Sequence, residues 1–508
     1  MSFQSAWFFL FLIVVLAVYS ALAARRAGHK KDTAYVPDSA VPLRQSAFLL
    51  AASLFFYACA GTAYLPLLLV AALLAWGAGH ALARAEKTPV RKAILTAALI
   101  LLIGNLCFFK YYAQLAALLP LPENAPAMPL GVSFYTFALS GYLIDQYRRQ
   151  YPPEKNFILF ALFAFFFPVI SSGPIERADG LLPQLKTPHA FDYEVFCQGA
   201  SRILWGFFKK FVVADTIAIA VDRVFGDLTG YAGPYLCLAV LLYAYQIYCD
   251  FSGYSDIAIG TARLFGFQVR ENFRRPYAAR TLADFWSRWH ISLSSWLQDY
   301  VFEPLAWSRW TQKLPFVGKY FKKPPTYSAL LLTFLVSGLW HGIGWTYVAW
   351  GMVHGVLQVL GKMTKKQRTR AVRALHIRMN TAAYRLFQQL LVLLMVCAGY
   401  VFFRAPTMAD AGYLYTHFLT GWGGLLHPGL VIDTLRSMGI GRVTGLLILG
   451  CAGLTEWVEW RAEQKGLRTD EWMRTLGGKR RMALYYALLL LIMTFGALGR
   501  SSFIYFAF

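Results

Sequence analysis

The stretch FQSAWFFLFLIVVLAVYSALAA (3–24) holds 22 residues without a charge, enough for a helix to cross about 30 Å of hydrocarbon. Similar runs of about 16–22 apolar residues recur along the chain. The other clear candidates are 46–60, 64–83, 93–109, 128–147, 199–222, 234–250, 327–345, 346–361, 383–403, 443–456 and 482–499, with a shorter run at 157–172 that could span or re-enter. With 57% hydrophobic and 15% charged residues, the chain is not a soluble enzyme. These runs predict an all-α polytopic membrane protein with about 11–13 membrane helices.

The first apolar run could be read as a signal peptide. No basic residue precedes it, and its charges (Arg25, Arg26, Lys30 and Lys31) follow it. That order predicts a retained helix with its N-terminus outside the cell.

The net charge of +23 could suggest that the protein binds nucleic acid, but the distribution of the basic residues along the chain argues against this. Basic residues cluster in the loops 25–44, 84–92, 148–155, 263–288, 309–323, 362–378 and 461–481. Loops such as 111–127 and 411–430 contain no Lys or Arg. Positively charged loops of a membrane protein remain in the cytoplasm, so the charge mainly reports topology and lipid contact. Some arginines could also hold the phosphates of a cytoplasmic donor.

Seven cysteines are scattered without a CxxC pair, and most lie inside apolar runs. This pattern favours buried small side chains over disulfides or metal ligands. The sequence contains no Gly-rich phosphate loop, HExxH motif or nucleophile-elbow serine. We therefore predict no metal and no bound cofactor.

The chain forms a single predicted membrane domain (1–508), with N-terminal helices at 1–125, a catalytic core at 126–411 and C-terminal helices at 412–508. Two apolar stretches of the core, 168–185 and 245–260, are interrupted by polar residues, prolines or glycines. Irregular or polar backbone at membrane depth requires surrounding protein or a water-filled cavity. These stretches are either polar helix ends at the interface, or the wall of a polar tunnel or re-entrant element.

The string FWSRWHISLSSW (285–296) contains His290. The pattern from 282 to 299 predicts one amphipathic helix. Its predicted polar stripe contains Arg288, Ser292, Ser295 and Asp299, and its apolar face contains Phe285, Trp289, Leu293 and Trp296. His290 and Ser294 fall half a turn from the stripe, so His290 should point into protein, either as a functional group or as a buried structural histidine.

The string SGLWHGIGW (337–345) places His341 at the end of an apolar run, between two tryptophans and among three glycines. Small residues allow helices or a substrate to approach the backbone closely. An ionisable side chain at membrane depth is costly and is by default a functional candidate. We interpret His341 as catalytic, and His354 as a satisfied histidine of the helix bundle.

At these strings the chain resembles the membrane-bound O-acyltransferase (MBOAT) family. It is most similar to the branch of the alginate and peptidoglycan O-acetyltransferase membrane subunits, which also includes the teichoic acid D-alanyl transferases. The resemblance lies in LGVSFYTFALSGYLIDQYR (130–148), ISSGPIERA (170–178), YCDFSGYSDIAIGTARLFGF (248–267), ENFRRPYAARTLADFWSRWHISLSSWLQDYVFEPL (271–305), SGLWHG (337–342) and VFFRAPTMADA (401–411).

The resemblance implies an MBOAT fold with re-entrant elements around a central tunnel, in the bacterial inner membrane. A cytoplasmic acyl thioester, for which we expect acetyl-CoA, would enter from one side. The acyl group would pass to an extracytoplasmic polysaccharide such as alginate, cellulose or peptidoglycan, with a periplasmic SGNH-type partner. His341 matches the family's catalytic histidine, and His290 matches the second signature histidine of the branch.

Acyl transfer also follows from elementary chemistry. A hydroxyl attacks a thioester once a base such as the His341 imidazole takes its proton. The charge that develops on the carbonyl oxygen needs donors, which His290 could supply. We expect the substrate path to be lined by Trp289, Ser294, Asp299 and Trp340. The alternatives are D-alanyl transfer to teichoic acid or, in a different class, a transporter of lipid-linked sugars.

The chain finishes with SSFIYFAF (501–508) directly after the last apolar run. An aromatic belt at the membrane interface would have this composition. The string also resembles the C-terminal FxYF-type motif of this branch's partner proteins and fused members, and this resemblance implies a tyrosine that carries the acyl group in transit. We predict that the Tyr505 phenol can play this part, activated by a neighbouring imidazole.

Overall fold

The computed structural model describes residues 3–27, 42–119, 122, 125–308 and 326–497. The protein is 78% helical, and the described residues contain no β-strand. The prediction of an all-α membrane fold is confirmed.

The first twelve helices are α1 (Ala6–Ala27), α2 (Leu43–Ala58), α3 (Leu65–Arg84), α4 (Thr88–Lys110), α5 (Tyr112–Leu118), α6 (Val132–Tyr147), α7 (Phe157–Phe165), α8 (Phe167–Ile170), α9 (Ala178–Leu185), α10 (Tyr193–Phe207), α11 (Asp215–Gly226) and α12 (Gly233–Leu264). The others are α13 (Leu282–Trp286), α14 (Ile291–Leu297), α15 (Glu303–Ala306), α16 (Thr326–His341), α17 (Trp345–Met363), α18 (Lys365–Ala374), α19 (Ala382–Arg404), α20 (Met408–His417), α21 (Pro428–Ser437), α22 (Arg442–Gln464), α23 (Thr469–Arg474) and α24 (Gly478–Phe495). Two π-helical turns, Phe208–Ala214 and Gln298–Phe302, follow α10 and α14 directly.

Five helical segments in the described part of the chain are long and apolar enough to cross a bilayer alone. They are Ala6–Ala23, Thr62–Arg84, Thr88–Lys110, Gly233–Leu264 and Ala382–Arg404. The pair α21 and α22, bent by 76°, can supply a sixth span. The chain is therefore a multi-pass membrane protein.

This count differs from the predicted 11–13 because several predicted spans are broken or short. The run 157–172 divides at Phe166 into α7 and α8, since Pro168 begins a new helix. Helix α16 has only 16 residues because it ends at His341. Apolar content alone does not show where a helix is interrupted.

The chain folds into two compact units, one of residues 1–205 and 254–271 and one of residues 206–253 and 272–508. The sequence-based division at 125 and 411 stays a prediction.

The first unit packs α2 against α7, and α3 and α4 against α6. A cluster of buried charge supports it: the Arg202 guanidinium lies 2.5 Å from Asp256 and 2.6 Å from Glu271. Residues 168–176 of the interrupted stretch 168–185 are buried here, and Glu176 accepts the backbone N–H of Arg270 at 2.7 Å. The Ser171 and Ser172 hydroxyls and the Glu176 carboxyl are thus enclosed by protein, as polar groups at membrane depth require, whereas Asp179 is exposed.

The second unit contains a buried ion cluster around the first π-helical turn. Lys210 is fully buried, and its ammonium lies 2.9 Å from Asp215 and 2.6 Å from Asp250. Its neighbour Lys209 lies 3.3 Å from Glu459, which also accepts the Tyr248 hydroxyl. Buried charges persist when they are paired in this way.

The polar stretch 245–260 lies largely in the C-terminal half of the continuous 32-residue helix α12. The stretch is thus continuous helix, and its interpretation as a polar helix end or as a tunnel wall stays a prediction. Its aspartates are buried and ion-paired within the protein, Asp250 with Lys210 and Asp256 with Arg202.

Candidate active site

The predicted amphipathic helix 282–299 is broken at its centre. Helix α13 ends at Trp286 and α14 begins at Ile291. Between them His290 adopts a left-handed backbone conformation with φ of 43°, which a continuous α-helix cannot contain. Ser292, assigned to an exposed polar stripe, is instead 2% exposed. The single-helix prediction is wrong because hydrogen bonds to a distant segment override the local periodicity.

That segment is the loop around Asn272. The backbone N–H of Ile291 donates to the Asn272 carbonyl at 2.9 Å, and the N–H of Arg274 donates to the Arg288 carbonyl at 3.0 Å. Unusual non-glycine backbone conformations persist where surrounding contacts hold them, often at functional sites. The turn at His290 is therefore built by tertiary hydrogen bonding.

The Asn272 side chain also determines the state of the His290 ring. Asn272 Oδ1 lies 3.1 Å from His290 Nδ1, and it accepts the Ser292 backbone N–H at 3.2 Å and the Ser292 hydroxyl at 2.9 Å. An oxygen that accepts these bonds must also accept from the ring, so Nδ1 carries the proton. In the neutral ring Nε2 is then a hydrogen-bond acceptor. His290 is buried, as the helical spacing predicted.

His341 is the last residue of α16 and is enclosed by aromatic rings. Its ring centroid lies 4.5 Å from Trp340, 4.8 Å from Trp350 and 5.0 Å from Phe403. Only 4% of its surface is exposed. A low-dielectric surrounding of this kind strengthens any electrostatic interaction the imidazole makes with a reacting group.

Glycines allow α16 and α17 to form a close helical hairpin beside His341. A Cβ atom on Gly338 would lie 2.5 Å from the Tyr347 carbonyl oxygen, and one on Gly351 would strike the Phe334 carbonyl. Such close backbone approach is typical of small residues at membrane helix interfaces. The glycines of SGLWHG thus position the histidine through packing.

Both histidines line one cavity of about 460 Å³, a volume usual for small-molecule sites. Its wall contains Trp286, Trp289, Leu293 and Phe334, with hydroxyls from Ser294, Ser295, Thr333 and Ser337. Along α16 the lining extends from Leu330 to His341, which is about 16 Å at 1.5 Å per residue. Lys362, at the end of α17, also lines it.

The predicted path residues divide into three groups. Trp289 and Ser294 line the cavity directly, and the Ser294 hydroxyl donates to the Trp289 carbonyl at 3.0 Å. Trp340 contacts His341 and lies 6.2 Å from the His290 ring, but is not part of the lining. Asp299 lies in the second π-helical turn and is not part of the lining, although Gln298 and Phe302 of the same turn are. Tyr505 lies outside the described residues.

Two features of the site were missed from the sequence. Asn272 lies within the motif 271–305, but nothing local marks it as the partner of a histidine 18 residues away. His354 is buried between Trp286 and Trp350, with ring centroids 5.1 and 5.2 Å away. Neither of its ring nitrogens has a hydrogen-bond partner in the described part of the chain. Its burial agrees with a place inside the helix bundle, but no hydrogen bond among the described residues satisfies its ring.

Comparison with known proteins places these residues in context. The model of the MBOAT, membrane-bound O-acyltransferase family, matches residues 80–403. A probable alginate O-acetylase AlgI of Pseudomonas syringae pv. tomato is 38% identical over 289 residues, covering 57% of this chain and 51% of that protein. A peptidoglycan O-acetyltransferase of Helicobacter pylori is 31% identical over 402 residues, 73% of each chain.

A teichoic acid D-alanyltransferase of Bacillus subtilis is 31% identical over 249 residues, covering 45% of this chain and 57% of that protein. The match spans about half the length of the alginate relative. The family match covers more than half of the chain and includes both histidine strings and the hairpin α16–α17. The chain belongs to the membrane-bound O-acyltransferase family.

Proposed function

We propose that this protein transfers an acetyl group from cytoplasmic acetyl-CoA across the membrane for O-acetylation of an extracytoplasmic polysaccharide. The observation that carries this proposal is one cavity lined by His341 and His290. The family match and the names of the alginate and peptidoglycan relatives support the reaction class and the type of acceptor.

The position of the cavity supports entry of the donor from the cytoplasm. Helix α16 begins after the basic loop 309–323, and α17 ends at the basic loop 362–378. The positive-inside rule puts both loops in the cytoplasm. His341 then lies at the far end of the hairpin, and the lining from Lys362 and Leu330 to His341 offers an extended acyl-thioester arm a path inward.

In the proposed reaction, His341 takes the proton from an acceptor hydroxyl as its oxygen attacks the thioester carbonyl. A C–O bond forms, the C–S bond breaks, and the thiolate leaves and collects the proton. His290, held by Asn272, presents Nε2 as an acceptor, so its neutral ring is suited to orienting a donor amide or the attacking hydroxyl. Stabilising an oxyanion through Nε2 would require the imidazolium form.

Sealed membrane vesicles test the donor and its side. Labelled acetyl-CoA supplied only to the cytoplasmic face should give label transfer, and the same donor supplied only to the periplasmic face should give none. Equal labelling from both faces would contradict the proposal. A protein that binds acetyl-CoA without transferring the label would favour a different activity.

For the acceptor, we propose a secreted polymer such as an alginate-like exopolysaccharide, cellulose or peptidoglycan, modified with a periplasmic SGNH-type partner at the inner membrane. Deleting the gene should lower the O-acetyl content of one of these polymers, measured by NMR. A change in D-alanyl esters of teichoic acid with unchanged O-acetyl content would select the second candidate, which the similarity to a D-alanyltransferase supports.

We also propose that Tyr505 receives the acyl group in transit at the extracytoplasmic end of the chain. Its support is the terminal string FIYFAF and the chemistry of a phenol that an imidazole can activate. Tyr505→Phe keeps the ring and removes the hydroxyl, so polymer acetylation should fall strongly while membrane insertion is unchanged. Normal acetylation in this variant would leave Tyr505 only as an interfacial anchor.

A further inference from the structure

A second cavity in the same unit has a different chemistry. It measures about 610 Å³ and is formed by the loop before α13, the start of α19 and the end of α22. Four arginines line it, Arg275, Arg280, Arg288 and Arg385, against two carboxylates, Asp284 and Glu463. A third carboxylate, Glu456, contacts Arg275 at 3.4 Å. The site therefore carries excess positive charge.

Two of these arginines are held in place by ion pairs. Arg275 Nη1 lies 2.6 Å from Glu463, and Arg288 lies 2.7 Å from both Asp284 and Glu463. Burial by itself would lower the pKa of the Arg288 guanidinium, but its bonds to Asp284 and Glu463 raise it above the ordinary value. The carboxylates thus act as a frame that orients guanidinium groups.

Other guanidinium N–H donors of the arginine cavity form no hydrogen bonds to the described residues. Within the described residues, the guanidinium groups of Arg280 and Arg385 have no hydrogen bond or ion pair, and the buried Nε of Arg275 has no acceptor. Arg275 is also held in a left-handed backbone conformation, with φ of 43°. Strain of this kind is maintained where the surrounding structure requires the residue in one place.

From this arrangement we propose that the arginine cavity is a binding site for a phosphate group. The planar guanidinium fork matches phosphate oxygens in geometry and charge. The amino end of the 23-residue helix α19 adds a favourable dipole, because Ala382 and Arg385 belong to the lining.

The predicted position of the cavity, at the cytoplasmic interface of the membrane, restricts which phosphate-bearing ligands can reach it. Helix α19 starts after the basic loop 362–378 and α22 ends at the basic loop 461–481, both on the predicted cytoplasmic side. Trp460 and Leu386, which line the cavity, are 41% and 55% exposed, as side chains at a lipid interface are. An anionic phospholipid headgroup and the nucleotide phosphates of a donor both reach this level. The nucleotide source rests on the proposed function, whereas the lipid source does not.

Binding to the purified full-length protein tests the site without any acyl transfer. Native mass spectrometry would titrate palmitoyl-oleoyl-phosphatidylglycerol, and calorimetry would titrate adenosine 3′,5′-bisphosphate, which carries phosphates found in coenzyme A. The test variant is Arg280→Gln with Arg385→Gln. The matched control is Lys366→Gln with Arg370→Gln, which removes two exposed charges from α18 outside the cavity.

We expect the test variant to bind one probe at least about tenfold more weakly, since a charge-assisted hydrogen bond is worth about that factor or more. The control should stay within about twofold of the wild type. Loss of lipid binding alone identifies a headgroup site, and loss of nucleotide binding alone identifies the donor's phosphates.

The proposal is overturned if the test variant matches the control for both probes, or if the wild type binds neither. Neither substituted guanidinium has a hydrogen bond or ion pair among the described residues, so the variant should elute and melt like the wild type. If it does not, the single variants Arg280→Gln and Arg385→Gln decide, each with an expected loss of about threefold or more. Because no step requires turnover, failure of acyl transfer would leave this result interpretable.

Discussion

The histidine cavity and the arginine cavity lie on either side of the short helix α13 and differ in their chemistry. Ala283 and Trp286 of α13 and the following Ser287 line the histidine cavity, whereas Asp284 of α13 and the following Arg288 line the arginine cavity. The histidine cavity encloses its imidazoles with aromatic rings, whereas the arginine cavity holds charges near an interface. Burial suits a proton transfer that must exclude water, and open charge suits the capture of an anion.

The strongest test of this difference is His341→Ala. Removing a general base costs about 10²–10⁴-fold in rate, while phosphate-group binding at the arginine cavity should be unchanged. Initial rates with labelled acetyl-CoA in membranes check the first part. The exposed His427 provides the matched control, since His427→Ala should keep wild-type activity. If the transfer rate of His341→Ala is within threefold of the wild-type rate, His341 is not the general base.

The next largest effect is expected at Asn272, which acts through His290. Asn272→Ala removes the acceptor of three bonds, so the tautomer and orientation of the ring are no longer determined. We expect a loss of about 10- to 100-fold in kcat, the usual cost of losing the partner that orients a histidine. Asn272→Asp keeps an acceptor oxygen and should retain more activity, with a changed pH profile.

If both Asn272 variants lose the same amount of activity and both unfold, Asn272 has only a structural role. Thermal melting separates the cases, because the effect on melting temperature should be smaller for Asp than for Ala.

A smaller effect is expected from the hairpin that carries His341. Gly351→Ala pushes a methyl group against the Phe334 carbonyl, and overpacking of this kind costs about 1–3 kcal/mol. Gly361→Ala, on the same helix but with open space around it, should stabilise by about 0.5–1 kcal/mol. Melting of the detergent-solubilised variants measures both, and an equal response would contradict the close helix contact.

The smallest effect is expected for Ser294→Ala. The Ser294 hydroxyl lines the cavity but donates to the Trp289 carbonyl, so its loss costs a single hydrogen bond of about 1 kcal/mol. We expect kcat/KM to fall less than about tenfold. A loss as large as that of His341→Ala would instead assign this hydroxyl to the reacting atoms.

Much of the site could be predicted from the sequence. Long apolar runs require helices because backbone groups in hydrocarbon must be satisfied within the segment. The strings around His290 and His341 placed both histidines in the family, and the structure brings both to one cavity. The glycines near His341 indicated close backbone approach, and Gly338 meets the Tyr347 carbonyl.

The amino-acid sequence by itself therefore determined the membrane class, the family and the choice of His290 and His341 as candidate site residues. Apolar length and sequence motifs are local properties that can be read without a structure. Only the tertiary structure decided the break at His290, its hydrogen bond to Asn272, the aromatic surroundings of His354 and the ion pairs of Asp250 and Asp256. Each depends on residues distant in the chain that become neighbours only on folding. Helical periodicity therefore cannot predict which polar group will pair with a buried ring nitrogen or carboxylate.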